Sequence, residues 1–169
     1  MNRNPLRTFR WSALGTGLFL AVAGCASAGG GGDDEPQNVY EEDLGRVVEG
    51  PLVEARQQIW RKHNINLYRE ERSARTLYFE SEWMPREPTT EEMAAGVTEA
   101  RNRVTMRGYQ TGETLNGAYE YRMNFRVENQ VKTGEYPDWH PAPMPQEVRN
   151  EFRRVYSDLQ MELRAGVRR

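Results

Sequence analysis

Apolar and polar side chains alternate over one long segment, residues 118–131, which reads AYEYRMNFRVENQV. The large apolar and aromatic side chains all occupy odd positions: Tyr119, Tyr121, Met123, Phe125, Val127 and Val131. Because successive side chains of a strand point to opposite faces, this period of two predicts one long strand that is buried on one face only. The fold must therefore supply an apolar layer that covers this face.

Shorter alternating segments precede this strand and predict its neighbours in a sheet. Residues 103–109 alternate in the same way, and Asn116-Gly117 between the two segments is a strong turn signal. We therefore expect an antiparallel pair joined by a loop of several residues. Upstream, residues 76–84 alternate clearly and 64–69 more weakly, which predicts a second hairpin.

Helical patterns flank the predicted strands. Pro51 suits the first position of a helix, and apolar residues recur on one stripe as far as Trp60. At the other end, residues 148–163 carry apolar side chains at spacings of four, three, four and four. Between the strands, residues 85–99 interrupt the sheet, and a capped helical turn is expected at 90–93.

These elements predict an α+β fold. Strands and helices that are each apolar on one side satisfy one another in two packed layers. We expect a two-layer sandwich in which a sheet of about four antiparallel strands carries an N-terminal and a C-terminal helix on one face. A chain of 169 residues has room for one such domain and its extensions.

The amino-terminal segment has the plan of a signal peptide. Residues 1–11 are basic and polar, and residues 12–23 form an apolar run that leads into small residues. A membrane-spanning helix needs roughly 20 apolar residues, and this run is shorter and contains Gly15 and Gly17.

The end of this segment, Val22-Ala23-Gly24-Cys25, resembles the lipobox of bacterial lipoproteins. The resemblance implies that Cys25 carries a diacylglyceryl group, that the chain is cut before it, and that the new amino terminus is acylated, for example with palmitate. Position 26 is Ala and not Asp, which by the same resemblance favours the outer membrane, facing the periplasm, in a Gram-negative organism. The alternatives are an ordinary secretory signal beside a chance cysteine and an uncleaved anchor.

Three regions follow from this interpretation: a signal peptide at 1–24, a lipidated cysteine with a glycine-rich linker at 25–38, and a single α+β domain at 39–169. The linker, ASAGGGGDDEPQN after the cysteine, reaches roughly 20 Å as a flexible chain. The lone cysteine leaves no partner for a disulfide within the chain.

Charge and chemistry exclude several classes of function. The first 24 residues hold three of the 23 basic residues and no acid, so the rest carries 20 basic against 25 acidic residues. This acidic balance offers no reason to bind nucleic acid. His63 and His140 are far apart in sequence, and with Cys25 assigned to lipid there is no thiol nucleophile or zinc motif. We expect no enzyme, metal or cofactor.

Arginine side chains collect on the polar face of the last two predicted strands. They are candidates for holding an anionic lipid, a glycan or an acidic envelope protein: Arg101, Arg103, Arg107, Arg122 and Arg126, with Tyr109 nearby. The alternative is cross-strand ion pairing with the acids Glu80, Glu82, Glu120 and Glu128. Trp139, in a stiff loop, either caps the core or anchors a partner.

These observations predict a lipid-anchored envelope protein that acts as a binding or assembly module, held to the membrane through acylated Cys25. The alternative is a carrier that holds a lipid or other apolar ligand between the sheet and the last helix. A cavity would then be lined by Tyr119, Tyr121, Phe125 and Phe152, whereas a packed core would favour the binding module.

We expect the substitution Cys25→Ala to release the protein from the membrane fraction without unfolding its domain, because each acyl methylene contributes about 0.8 kcal/mol of anchoring. Membrane fractionation of the variant checks this, together with mass spectrometry of the Cys25 peptide from the natural envelope. A variant that stays membrane-bound and acylated would contradict the lipoprotein interpretation.

Overall fold

A computed structural model describes residues 38–73 and 75–166. The predicted lipobox with Cys25 and the linker up to residue 37 lie outside the described residues. The elements in chain order are β1 Val39–Val48, α1 Glu49–Lys62, β2 Leu67–Arg72, β3 Thr76–Ser81, β4 Met84–Arg86, α2 Thr90–Ala94, β5 Val97–Glu113, β6 Tyr119–Thr133, β7 His140–Pro141 and α3 Gln146–Gly166.

All of the strands join one antiparallel sheet in the order β1-β6-β5-β3-β2. The short strands β4 and β7 extend this sheet by pairing with β5 and β6. The predicted antiparallel pair is confirmed, and it is longer than expected: β5 and β6 pair from Val97 opposite Thr133 to Glu113 opposite Tyr119. The predicted hairpin upstream is confirmed as β2 and β3.

The prediction of about four strands with two helices on one face is wrong, because the sheet has seven strands and the described residues include three helices. The sequence pattern does not reveal β1. Gly45, with φ +75°, follows a shift in the pairing with β6 after Asp43, so the buried residues Tyr40, Leu44 and Val47 do not alternate. The strands β4 and β7 span three and two residues, too few for a period.

One continuous apolar core lies between the sheet and the two long helices. On the sheet side, fully buried side chains come from alternate positions of the central strands: Val104, Met106, Met123, Phe125 and Val127. The helices contribute Leu52, Ile59 and Trp60 from α1 and Val155, Leu159 and Leu163 from α3. The period of two on the strands and of 3.6 on the helices therefore places these residues in the same core.

A buried polar cluster fixes the segment between β4 and β5. The guanidinium of Arg86 donates to both carboxylate oxygens of Glu92 at 2.6 Å, and also to the side-chain oxygens of Asn102 and Asn129 at 2.9 Å. The amide nitrogen of Asn129 donates to the carbonyls of residues 142–143, both at 3.1 Å. The cluster thus ties the loop before α3 to the same point of the sheet.

Glu92 also completes the cap of α2. The helical turn predicted at 90–93 is confirmed, and Thr89, one residue earlier, is its N-cap in a reciprocal capping box with Glu92. Burial by itself would raise the pKa of Glu92, but the hydrogen bonds from Arg86 and from the Thr89 backbone lower it below its usual value. The carboxylate is therefore held in its charged form.

Gly108 is a point of close approach within the core. It lies on β5 directly opposite Met123, and a Cβ built at Gly108 would overlap the Sδ of that side chain. Met123 is fully buried, so it has little room to move aside.

We expect Gly108→Ala to lower the free energy of unfolding by about 1–3 kcal/mol through overpacking. Gly112→Ala is the matched control, because it lies on the same strand and its Cβ would meet its nearest neighbour, an oxygen of Glu120, at 3.7 Å. Denaturant unfolding of both variants measures the difference. Equal effects of the two substitutions would contradict this packing.

Candidate functional site

The face of the sheet opposite the core is covered by no element of the described residues. It forms a shallow cavity of about 790 Å³, which we term the open face. Its lining residues come from β1, β3, β5 and β6: Glu41, Asp43, Tyr78, Arg103, Thr105, Arg107, Tyr109, Thr111, Arg122, Asn124, Arg126 and Glu128. Of the five arginines predicted to bind an anionic partner, four line this cavity and Arg101 does not.

Two of these arginines form a chain of ion pairs across the open face. Arg103 donates to Glu80 at 2.5 Å and to Glu128 at 2.8 Å. Arg126 lies 3.4 Å from Glu128 and 3.6 Å from Glu41 on β1. The guanidinium of Arg103 is therefore already occupied by two carboxylates, as the cross-strand alternative predicts for Glu80 and Glu128.

Arg122 is also paired, through an acid that the sequence did not suggest. Its guanidinium donates to Asp43 at 2.6 Å, and this hydrogen bond, followed by one from the backbone N–H of Gly45, lowers the pKa of the Asp43 carboxyl. Glu41 and Asp43 escaped sequence reasoning because their strand, β1, has a broken alternation. The expected partners Glu82 and Glu120 form no ion pair with these arginines among the described residues.

Arg107 differs from the other three arginines of the open face. It has no carboxylate within ion-pair distance among the described residues. Its guanidinium carbon lies 5.2 Å from the ring centroid of Tyr109, which is 54% exposed. These two side chains therefore present a cation and an aromatic surface that remain accessible to a binding partner.

Trp139 lies outside the apolar core, so it does not cap that core. The guanidinium carbon of Arg101 lies 4.0 Å from the centroid of the Trp139 ring, and the amine nitrogen of Lys132 lies 4.7 Å from that centroid. Arg101 also lies 4.2 Å from Trp83, whose ring contacts Arg103 at 4.5 Å. The two indoles and three cations thus form a stacked group next to the open face, stabilised by cation–π attraction.

No acidic side chain of the described residues pairs with Arg101. Arg101 donates twice to the side-chain oxygen of Gln130, at 2.6 and 3.1 Å. Burial first, and the nearby charge of Arg103 second, lower its pKa. The group therefore keeps Trp83 and Trp139 in place with internal contacts, and the anchor role predicted for Trp139 stays a prediction.

Three of the four residues predicted to line a carrier cavity belong to the apolar core. Tyr121, Phe125 and Phe152 are 3%, 0% and 6% exposed, while Tyr119 is 43% exposed. The ring of Phe125 packs 5.9 Å from that of Tyr156.

The histidines have separate local roles. The Nε2 of His63 lies 2.8 Å from Asp158, which joins the end of α1 to α3. Lys62 shares that carboxylate, and its hydrogen bond, followed by that of His63, lowers the pKa of Asp158. His140 contacts the backbone carbonyl of Asp138. Within the described part of the chain, no three His, Cys, Asp or Glu side chains are grouped to hold a metal ion.

No helix among the described residues has the length and apolar character that crossing a membrane requires. No protein-family model matches the sequence, and no curated protein matches it.

Proposed function

We propose that this protein is a lipid-anchored lipoprotein of the bacterial cell envelope and that its domain is a non-enzymatic module which binds a protein partner on the open face. The lipobox resemblance at residues 22–25 supports the anchor. The observation that carries the binding role is the face of the sheet that no element of the described residues covers, with Arg107 and Tyr109 lining its cavity.

The charges of the open face favour a protein over a membrane as the partner. Four arginines line the cavity together with Glu41, Asp43 and Glu128, and Glu80 pairs with one of them. Attraction to an anionic lipid surface requires clusters of unopposed basic side chains. A surface of both signs instead matches a polypeptide, whose own charges and apolar side chains alternate at similar distances.

Arg107 is the side chain that we assign to the partner's carboxylate. A guanidinium binds a carboxylate through two parallel hydrogen bonds. Among the arginines of this cavity, Arg107 can form these bonds without first breaking an ion pair to another described residue. Tyr109 beside it supplies a rigid aromatic contact, the kind of residue that contributes strongly at protein interfaces.

Arg107→Glu is expected to weaken binding of the partner about tenfold or more, because it replaces a charge-assisted hydrogen bond with repulsion. The partner is captured by crosslinking in the natural envelope and quantified by mass spectrometry against the unmodified protein. The thermal unfolding midpoint should stay nearly unchanged, since Arg107 makes no ion pair within the part of the chain that the structure describes.

Arg154→Glu, a charge reversal at an exposed position of α3, is the matched control and should leave capture unchanged. The proposal fails if Arg107→Glu recovers the same proteins in the same amounts as the unmodified chain.

A further inference from the structure

Among the described residues, the strand β2 forms a free edge of the sheet. It is the last strand in the sheet order, and every residue of Leu67–Arg72 is exposed. Tyr68 is 70% exposed and Leu67 is 41% exposed. An exposed edge strand presents unpaired backbone N–H and C=O groups that can pair with another strand.

The hairpin geometry shows which backbone groups point outward. The N–H of Ser73 donates to the carbonyl of Thr76 at 2.9 Å, so these two residues face each other across the ladder. The direction of backbone groups alternates along an antiparallel strand. The N–H and C=O groups of Glu71 and Arg69 therefore also point towards β3. The N–H and C=O of Glu70 and Arg72 therefore point away from the sheet.

The side chains of residues 69–72 carry a charge pattern that reads the same in both directions, Arg-Glu-Glu-Arg. Arg69 and Glu71 lie opposite Glu80 and Tyr78, which places them on the side of the open face. Arg69 contacts Glu71 and also the ring of Tyr78, at 5.9 Å.

The other two charges of the strand lie on the side of α1. Glu70 is 2.6 Å from Arg72 and 3.4 Å from Arg56, and Arg72 also reaches Glu49 at 3.0 Å. Arg56 itself is buried, with its guanidinium 4.7 Å from the ring of Phe79. Two arginines therefore compensate the charge of Glu70 before any partner approaches.

We propose that β2 pairs antiparallel with β2 of a second copy of this chain, with Glu70 on the twofold axis. The outward N–H of Glu70 in each copy then donates to the outward C=O of Glu70 in the other copy. Arg69 of each copy lies opposite Glu71 of the other, which forms two symmetric attractive pairs. Arg72 lies opposite Tyr68, the residue at which β2 shifts its register with β3. The two Glu70 carboxylates face each other, but Arg56 and Arg72 of each copy already compensate them.

The registers centred on Arg69, Glu71 and Arg72 have the same hydrogen-bonding parity. Those centred on Arg69 and Arg72 place two guanidinium groups opposite each other and form no pair of opposite charges. The register centred on Glu71 forms two Glu70–Arg72 pairs but sets the two Glu71 carboxylates opposite each other, and among the described residues Glu71 has one arginine partner where Glu70 has two. The register centred on Glu70 is therefore the favoured one. Charges on an edge strand discourage pairing with unrelated strands. The order of charges on β2 still allows pairing with β2 of a second copy.

Pairing of this kind would join the two sheets edge to edge and set both open faces side by side. A partner with two binding segments would then contact both copies, with the gain in avidity that linked sites provide. The inference concerns the edge strand alone, and it stands whether or not the open face binds a protein.

The test is a pair of charge reversals studied separately and mixed. Sedimentation velocity is measured on the full chain carrying Cys25→Ala in mild detergent, at concentrations up to about 1 mM, comparable to the effective concentration that tethering provides. The chain should dimerise. Arg69→Glu and Glu71→Arg should each raise the dissociation constant at least about tenfold, because each creates two like-charge pairs.

An equimolar mixture of the two variants should recover dimers, since each reversed charge then meets its opposite across the twofold axis. Recovery also shows that the single variants are folded. Arg154→Glu serves as the control and should dimerise like the parent. A chain that stays monomeric throughout, a dimer that ignores both reversals, or a mixture that stays monomeric would overturn the proposal.

Cysteine crosslinking reads the register directly. Residues in a hydrogen-bonded antiparallel pair have Cα atoms about 5.5 Å apart, within the range of a disulfide. In the chain that carries Cys25→Ala, Glu70→Cys should form a covalent dimer under mild oxidation, and Glu71→Cys should form much less. The reverse order would overturn the register.

Discussion

The pairing of β5 with β6 is the interaction on which the rest of the structure depends. These two strands carry the longest ladder of the sheet, and β1, β3, β4 and β7 all pair with one of them. Because side chains of a strand alternate between two faces, the ladder sorts its residues into an apolar set that meets α1 and α3 and a polar set that faces outward. One ladder therefore fixes both the core and the open face.

The open face is largely neutralised by its own charges. Arg103, Arg122 and Arg126 lie in ion pairs with acids of β1, β3 and β6, and the exposed pairs of Arg122 with Asp43 and of Arg126 with Glu41 contribute little to stability, about 0–1 kcal/mol each. Their consequence for binding is larger, because an incoming anion would have to displace a carboxylate that is already in place. This competition is the reason for assigning recognition to Arg107 and Tyr109 and not to the whole arginine cluster.

Sequence periodicity predicted the parts of this fold that repeat over many residues. The central hairpin and the helix around Phe152 and Leu159 follow from periods of two and 3.6, and Arg103 with its acids Glu80 and Glu128 follows from the same alternation. Tertiary pairing decided the rest. The bulge at Gly45 breaks the alternation of β1, so the sequence pattern reveals neither this strand nor its acids that pair with Arg122 and Arg126. The contacts of Trp139 with Arg101 depend on a loop that no period describes.

Hydroxyl-radical footprinting of tyrosines tests the central claim, that the open face is covered by a partner in the envelope. Tyr109 is 54% exposed on the open face and Tyr136 is 60% exposed outside it, so the two report on different surfaces of one protein. We expect the oxidation of Tyr109 to fall several-fold in intact envelopes relative to the purified protein, while that of Tyr136 stays the same. Equal oxidation of Tyr109 in both preparations would contradict a covered open face.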